Sequence, residues 1–159
     1  MDWQQDANYI KAKNYALNLL SYRPRSCHEI EAKLKQRDYQ QEIIQAVMEF
    51  LREYNFINDM DFAKRWVNQR CCSKPMGRRR LKQELYQKGI EQEVVDQAIH
   101  DYSPEDEFTM ALALGEKRFN RKPTLQGLEK VKGFLLRRGF SHQIINGVCN
   151  VLSRHNLDS

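Results

Sequence analysis

The chain has 159 residues, of which 26 are lysine or arginine and 21 are aspartate or glutamate, giving a formal net charge of +5. This length provides a core for one or two small domains and argues against a large enzyme. No apolar run approaches the roughly 18 to 20 residues that cross a bilayer, and the N-terminus lacks the features of a secretory signal. We therefore expect a cytoplasmic protein that does not enter membranes.

The first third of the chain carries three apolar patterns with helical spacing. Apolar residues recur at intervals of three and four within residues 12–19, 27–34 and 43–51. Ser26 and Glu29 form a capping-box pattern at the start of the second of these segments. Because no alternation typical of strands competes, the sequence predicts an all-α fold.

The same pattern recurs twice further along the chain. Five apolar positions reappear 51 residues later and again 50 residues after that. The three sets are Ile30, Leu34, Tyr39, Ile44 and Val47, then Leu81, Leu85, Ile90, Val95 and Ala98, then Val131, Leu135, Phe140, Ile145 and Val148. Asp38, Gly89 and Gly139 share the position before the third member, where a helix that ends in the left-handed conformation favours glycine and tolerates aspartate.

This repetition predicts three tandem three-helix repeats, over residues 1–56, 57–102 and 103–159, that form an elongated, curved, modular body. In the third repeat, Ser103 and Pro104 mark a helix start, and the basic loop FNRKPT separates the first two helices. Asp59 and Asp61 lie at the start of the second repeat, where we expect them to cap the helix and complement its dipole.

Positive charge is segregated along the chain. Residues 70–88 contain seven basic residues and one acid, residues 117–138 contain eight and one, and residues 91–107 contain seven acids without lysine or arginine. Glutamates at pairing distance along the helix are largely missing from the basic stretches, and Arg78, Arg79 and Arg80 crowd a helix N-terminus, where cations are unfavourable. Ordinary solvated helix faces are the alternative, but we interpret these stretches as a surface for phosphates or an acidic protein.

Catalytic and cofactor motifs are absent from the sequence. It contains no phosphate-binding glycine loop, dinucleotide fingerprint, zinc-protease motif or nucleophile elbow. The four histidines are dispersed, and the four cysteines lack metal-binding spacing, so we expect free thiols, no metal, no cofactor and no enzyme activity.

Two central runs, FINDMDFAKRWVNQR and MGRRRLKQELYQKGI, resemble the signature of the RecX family. The positions that match are Ile57, Asp59, Phe62, Ala63, Trp66, Val67, Arg70, Gly77, Arg80, Leu81, Glu84, Leu85, Lys88, Gly89 and Ile90. The first repeat is similar to the N-terminal pattern of the family through Ala16, Leu17, Leu20, Arg23, Ser26, Glu29, Ile30, Lys33 and Leu34, and KVKGFLLRRGFSHQII is similar to its last repeat. Met76 replaces the usual aromatic residue and Asn58 adds a second helix cap. Neither departure is expected to touch the basic face.

The resemblance implies a regulatory protein that binds the groove of the RecA–DNA filament and inhibits the RecA recombinase and its ATPase, in DNA repair, recombination and the SOS response. We expect a monomer, with RecA filaments as partner and single- and double-stranded DNA as further ligands. The candidate contact residues are Arg70, Arg78, Arg79, Arg80, Lys82, Lys88, Lys122, Lys130, Lys132, Arg137 and Arg138. The alternatives are a free-standing DNA-binding protein of helix-turn-helix type, and a repeat scaffold without a nucleic-acid role.

Overall fold

The protein is described here by a computed structural model that covers residues 3–157. Over that range the chain forms nine α-helices and a short 3-10 helix at Trp3–Gln5, with no strand. The α-helices are α1 (Ala7–Tyr22), α2 (Cys27–Lys35), α3 (Gln41–Glu53), α4 (Asp59–Ser73), α5 (Arg78–Gln87), α6 (Gln92–His100), α7 (Pro104–Phe119), α8 (Leu125–Arg137) and α9 (His142–Leu157). The predicted all-α fold is confirmed, and the helices follow one another in three groups of three. The residues proposed as domain boundaries stay a prediction.

Side chains at the helix starts explain where several helices begin. Ser26 accepts a hydrogen bond from the Glu29 N–H while the Glu29 carboxylate accepts one from the Ser26 N–H, so the predicted capping box is confirmed. Ser103 caps α7 with Pro104 directly after it, again as predicted. Thr124 caps α8 by accepting from the Gly127 N–H at 3.1 Å.

The predicted helix ends are also confirmed. Asp38, Gly89 and Gly139 follow the second helix of each repeat with φ values of 57°, 72° and 83°. This left-handed conformation lets the last turn close onto earlier carbonyl groups, and only glycine adopts it without steric cost.

The chain forms two compact units. One consists of the chain up to Lys64 together with Leu85–Val95, and the other of Arg65–Glu84 together with the chain from Asp96 onward. The core of the first unit contains Tyr9, Ala12, Ala16, Ile30, Leu34, Ile43, Ile44, Val47, Met48, Leu51 and Ile57. The core of the second contains Ala111, Phe119, Val131, Leu135, Phe140, Ile145, Val148, Cys149 and Leu152. Most residues of both cores lie on helices, at apolar positions that recur at helical spacing.

Inside the first unit, the start of α2 contacts residues of the second repeat. The Ser26 hydroxyl donates to the carbonyl oxygen of Lys88 at 2.6 Å. The Cys27 N–H donates to the Asp59 carboxylate at 2.8 Å. Asp59 therefore caps α2 across the repeat, and the side chain that caps α4 is Asn58, which accepts from the Asp61 N–H at 3.1 Å; this corrects the expected capping role of Asp59. Asp59 and Asp61 both lie in the first turn of α4, where their charges complement the helix dipole as expected. We call the contact between successive repeats a repeat joint.

The second unit contains the same repeat joint at equivalent positions. The Gly77 N–H donates to the carbonyl oxygen of Arg138 at 2.8 Å, and the Arg78 N–H donates to the Glu107 carboxylate at 3.0 Å. Gly77 and Arg78 are 51 residues beyond their counterparts in the first repeat joint, and Arg138 is 50 residues beyond Lys88. In both joints a carboxylate from the first turn of the next repeat satisfies the first N–H of the helix, which helix starts otherwise leave unpaired.

Candidate functional site

The second repeat joint brings the two basic stretches of the sequence together. Gly77 precedes α5, and a Cβ atom at this position would lie 2.3 Å from the carbonyl oxygen of Gly139 at the end of α8. Only two glycines allow backbones to approach so closely. As a result, Arg80 near the start of α5 and Arg138 directly after α8 line one recess, although the sequence separates them by more than fifty residues.

Arg78 is half-buried and binds within the protein. Its Nε atom donates to the carbonyl oxygen of Tyr102 at 2.8 Å, its Nη2 atom makes a second contact with that oxygen, and its guanidinium lies 3.9 Å from the Glu107 carboxylate. Burial raises the pKa of Glu107 above its ordinary value, against the lowering effect of its contacts with Arg78. Arg78 thus has a structural role, and its contact with a partner stays a prediction.

Five other candidate cations form ion pairs, two of them at helical spacing and three with residues from distant parts of the chain. The ion pairs are Arg70–Glu84 at 2.9 Å, Arg80–Glu84 at 3.6 Å, Lys82–Asp96 at 2.6 Å, Lys132–Glu129 at 2.7 Å and, in the first unit, Lys88–Glu29 at 3.1 Å. Glutamates at helical pairing distance are few, as the sequence indicates, but carboxylates from distant parts of the chain supply further partners. Among these partners, Glu84 offsets part of the cost of placing Arg80 in the first turn of α5.

Arg79, Lys130 and Arg137 are exposed and form no ion pair with any residue between 3 and 157. Lys122 is also exposed, and its ammonium group donates to the Gln126 side chain at 3.1 Å. These four candidates retain their charge toward solvent, so they are the cations most available to a ligand.

The cations of α5 divide between two recesses of the second unit. The first recess, which we call the mixed groove, has a volume of about 1050 Å³. Arg79 and Lys82 line it together with Glu105, Phe108 and Ile144. It therefore offers charges of both signs beside apolar side chains.

The second recess, which we call the basic hollow, has a volume of about 300 Å³. Its lining consists of Lys74, Met76, Arg80, Glu84, Phe134, Arg137 and Arg138. Four cations thus face one carboxylate. The sequence predicts that Met76 lies away from the basic face, and the structure corrects this, because Met76 is one of the residues that line the hollow.

Contacts within the basic hollow hold some of its charges in place. The Arg138 guanidinium donates to the carbonyl oxygen of Pro75 at 3.2 Å and lies 5.2 Å from the centre of the Phe134 ring. The Arg118 guanidinium lies 4.7 Å from the centre of the same ring. Cations near an aromatic ring are attracted by its electron-rich faces. Phe134 therefore positions two arginines, one of which was not a candidate from the sequence.

Glu84 is the one carboxylate in the lining of the basic hollow, and three donors already use it. The Trp66 indole N–H donates to it at 3.0 Å and Arg70 Nε at 2.9 Å, while Arg80 Nε lies 3.6 Å away. Its negative charge is consequently offset from outside the hollow as well as from within. The hollow retains a surplus of positive charge.

Neither a metal centre nor a membrane-spanning helix is found in the described part of the chain. No three histidine, cysteine, aspartate or glutamate side chains there lie close enough to hold a metal ion. None of its helices has the length and apolar character needed to span a bilayer. The four cysteines are free thiols, and burial together with Asp59 raises the pKa of Cys27 to about 11.

These features define an all-α protein built from tandem three-helix repeats, with a basic surface where two repeats meet. Models of the first, second and third three-helix domains of RecX match residues 12–51, 58–99 and 105–149. The chain therefore belongs to the RecX family.

Individual relatives extend the similarity over almost the whole chain. A regulatory protein RecX from Clostridioides difficile is 35% identical over 150 residues, which are 92% of this chain and 70% of that protein. One from Chlorobium phaeobacteroides is 35% identical over 145 residues, which are 87% of this chain and 92% of that protein. The crystal structure of RecX from Lactobacillus salivarius has a TM-score of 0.85 at 30% identity, covering 92% of this chain and 97% of that one. The comparisons support a regulatory role of the RecX type.

Proposed function

We propose that this protein binds the RecA–DNA filament in the cytoplasm, inhibits RecA recombinase and ATPase activity, and so modulates DNA repair and recombination without catalysing a reaction itself. Membership of the RecX family supports the regulatory part of this proposal. The structural observation that carries it is the meeting of the two basic stretches at the second repeat joint.

The two recesses of the second unit suit a partner made of both protein and nucleic acid. The mixed groove combines apolar side chains with both signs of charge, as protein–protein interfaces do. The basic hollow carries almost only positive charge, which is typical of surfaces that contact phosphates. A filament of RecA on DNA presents both kinds of surface.

We assign the first contacts to the exposed candidates Arg79, Lys122, Lys130 and Arg137. The paired candidates, Arg70, Arg80, Lys82, Lys88 and Lys132, keep partly exposed side chains and would exchange or share their carboxylates on binding. Surface ion pairs contribute little net stability, so this exchange costs little.

The test is inhibition of the DNA-dependent ATPase of RecA by the parent protein and by Arg79→Ala. Arg79 is exposed and makes no ion pair in the described structure, so the variant should fold normally while its inhibition weakens. Lys117→Ala, which removes an exposed cation of α7 outside both recesses, is the matched control and should inhibit like the parent. If the parent does not inhibit RecA, the proposal fails.

A free-standing DNA-binding protein is the alternative that the basic hollow favours. Sedimentation with RecA-coated single-stranded DNA, bare single-stranded DNA and RecA alone, at two salt concentrations, separates the possibilities. Preferential sedimentation with the coated DNA supports the proposal. Equal binding to bare and coated DNA favours the alternative, and binding to none of the three contradicts both.

A further inference from the structure

We propose that the basic hollow is a binding site for a backbone phosphate of DNA, with Lys74 and Arg137 as its mobile contacts and Arg138 as its fixed contact. The inference rests on the proposed function, because the filament supplies the DNA, and it deepens that function by assigning the phosphate contact to one recess. Lys74 is not among the contact residues that the sequence predicts.

The charge of the hollow favours an anion with several acceptor oxygens. Lys74 and Arg137 are exposed, and neither forms an ion pair with a carboxylate among the described residues. Glu84 already receives donors from Trp66 and Arg70. These charges converge on one recess whose only acidic lining residue is Glu84, so the recess attracts anions.

The geometry of the hollow favours a phosphate over a single carboxylate. Arg138 is held by the Pro75 carbonyl group and by the Phe134 ring, so part of its rotational freedom is already lost before a ligand arrives. Arg80 and Arg137 approach from α5 and from the end of α8, respectively. Phosphate oxygens accept charge-assisted hydrogen bonds from several directions, and arginine is well suited to supply them in pairs.

A volume of about 300 Å³ that opens to solvent accommodates a phosphate group within a continuing backbone. The mixed groove is a poorer phosphate site, because Glu105 and Glu107 line it and would repel the anion. The two sides of α5 therefore face recesses that suit different ligands. Arg80 faces the phosphate site, whereas Arg79 faces the groove.

The experiment measures the affinity of the full-length protein for a fluorescently labelled single-stranded oligothymidylate across a series of salt concentrations. The hollow variant is Lys74→Ala with Arg137→Ala. The matched control is Lys117→Ala with Arg121→Ala, which removes the same charge from exposed positions of the same unit outside the hollow. Helical circular dichroism and thermal unfolding verify that all three proteins are folded, and RecA ATPase inhibition is measured in parallel.

The hollow variant should bind the oligonucleotide about tenfold more weakly than the parent, since it loses charge-assisted hydrogen bonds to one phosphate. Its salt dependence, plotted as log affinity against log salt, should be shallower by about 0.7 for each phosphate lost. The salt slope of the control should differ from that of the parent by less than about half of the change expected for the hollow variant.

Two results would overturn the assignment. In the first, the folded hollow variant binds DNA with the same affinity and salt slope as the parent. If that variant also loses RecA inhibition, the hollow contacts an acidic surface of RecA, and the phosphate assignment is still wrong. In the second, the control variant loses as much affinity and slope as the hollow variant, so that only net charge matters. If the parent binds DNA through the hollow but does not inhibit RecA, the proposed function fails and the phosphate site stands.

Discussion

The N–H group of Gly77 donates a 2.8 Å hydrogen bond to the carbonyl oxygen of Arg138. Backbone therefore meets backbone where α5 starts and α8 ends, and the basic hollow lies beside this contact. A substitution that pushes the start of α5 away from the end of α8 therefore also moves apart the cations that the two helix ends carry. The stability of the joint and the integrity of the candidate site consequently depend on the same few atoms.

Gly139→Val should destabilise the protein markedly. The φ value of 83° is strained for a β-branched residue, at about 1–2 kcal/mol, and a Cβ atom would lie 2.3 Å from the Arg80 Cβ, which adds about 1–3 kcal/mol of overpacking. Gly89→Val should behave similarly in the first unit, because its φ is 72° and its Cβ would lie 2.3 Å from the His28 side chain. Urea unfolding gives the free energies.

The control for these variants is Gly133→Ala, within α8, where the nearest atom to a new Cβ is Arg137 Nη1 at 3.4 Å. This helical position should gain up to about 1 kcal/mol from the higher helix propensity of alanine. Equal effects of the Gly139 and Gly133 substitutions would contradict the close approach at the repeat joint.

Ser26→Ala should cost more than the loss of an ordinary helix cap. The Ser26 hydroxyl is fully buried, accepts from the Glu29 N–H at 3.2 Å and donates to the Lys88 carbonyl group at 2.6 Å. Thr124→Ala removes a cap that accepts only from the Gly127 N–H among the contacts described. We expect losses of about 2–3 kcal/mol for Ser26 and about 1 kcal/mol for Thr124, measured by thermal and urea unfolding. A Ser26 loss that does not exceed the Thr124 loss would show that the repeat joint adds nothing.

Arg78→Ala and Arg79→Ala should separate stability from function. Replacing Arg78 removes both guanidinium contacts with Tyr102 and leaves the Glu107 side chain, which is 7% exposed, without its cation, so we expect a loss of about 2–3 kcal/mol. Replacing Arg79 should change stability by less than about 0.5 kcal/mol. Similar unfolding curves for the two single variants would disprove the structural role of Arg78.

Acid stability should depend on Glu29. Burial raises its pKa, but hydrogen bonds from Arg23, the Ser26 N–H and Lys88 outweigh burial and lower the pKa to about 2 from an ordinary value of 4.5. Because the folded-state pKa is depressed, this stabilising contribution is complete above pH 4.5 and is lost as the pH falls toward 2. Glu29→Gln should lower stability at neutral pH and flatten the curve in this interval, as followed by urea unfolding at each pH.

Two further variants make the pH argument specific. Arg23→Met removes one donor, so the Glu29 carboxyl should titrate at a higher pH in carbon-detected NMR. Glu107→Gln removes a group whose raised pKa acts in the opposite sense, because its contribution is present below pH 4.5 and is lost as the pH rises. Because the substitution removes this loss, the stability of the variant should fall less than that of the parent as the pH rises just above 4.5. An unchanged titration of Glu29 in the Arg23 variant would refute the assigned cause.

The sequence predicts those features that depend on local spacing. The apolar residues that recur every 51 and 50 positions, such as Leu34, Leu85 and Leu135, are all buried except Tyr39, which is partly buried. The shared glycine position also follows from sequence, since the left-handed conformation restricts the residue types that can occupy it. Both signals are carried by neighbours within one or two helical turns, where geometry is nearly fixed.

Partners that come from distant parts of the chain could not be predicted in this way. Arg78 and Glu107 are 29 residues apart, and Arg118 and Phe134 are 16 apart, so no helical period relates them. Cys27 and Asp59 show the same difficulty, because a carboxylate at a helix start can cap its own helix or a neighbouring one. Only the tertiary structure shows which of the two helices the carboxylate caps.

Trp66 lies close enough to the basic hollow to serve as an intrinsic fluorescence probe of it. Its indole N–H binds Glu84, which lines the hollow, and the Arg70 guanidinium lies 4.6 Å from the centre of its ring. An anion that draws Arg80 away from Glu84 leaves the negative charge of Glu84 less compensated. The electric field at the Trp66 indole then changes, and indole fluorescence emission responds to such a change. The chain has one other tryptophan, so replacing Trp3 with phenylalanine isolates the signal. Ligand arrival at the junction of α5 and α8 could then be followed in real time, without a dye on either molecule.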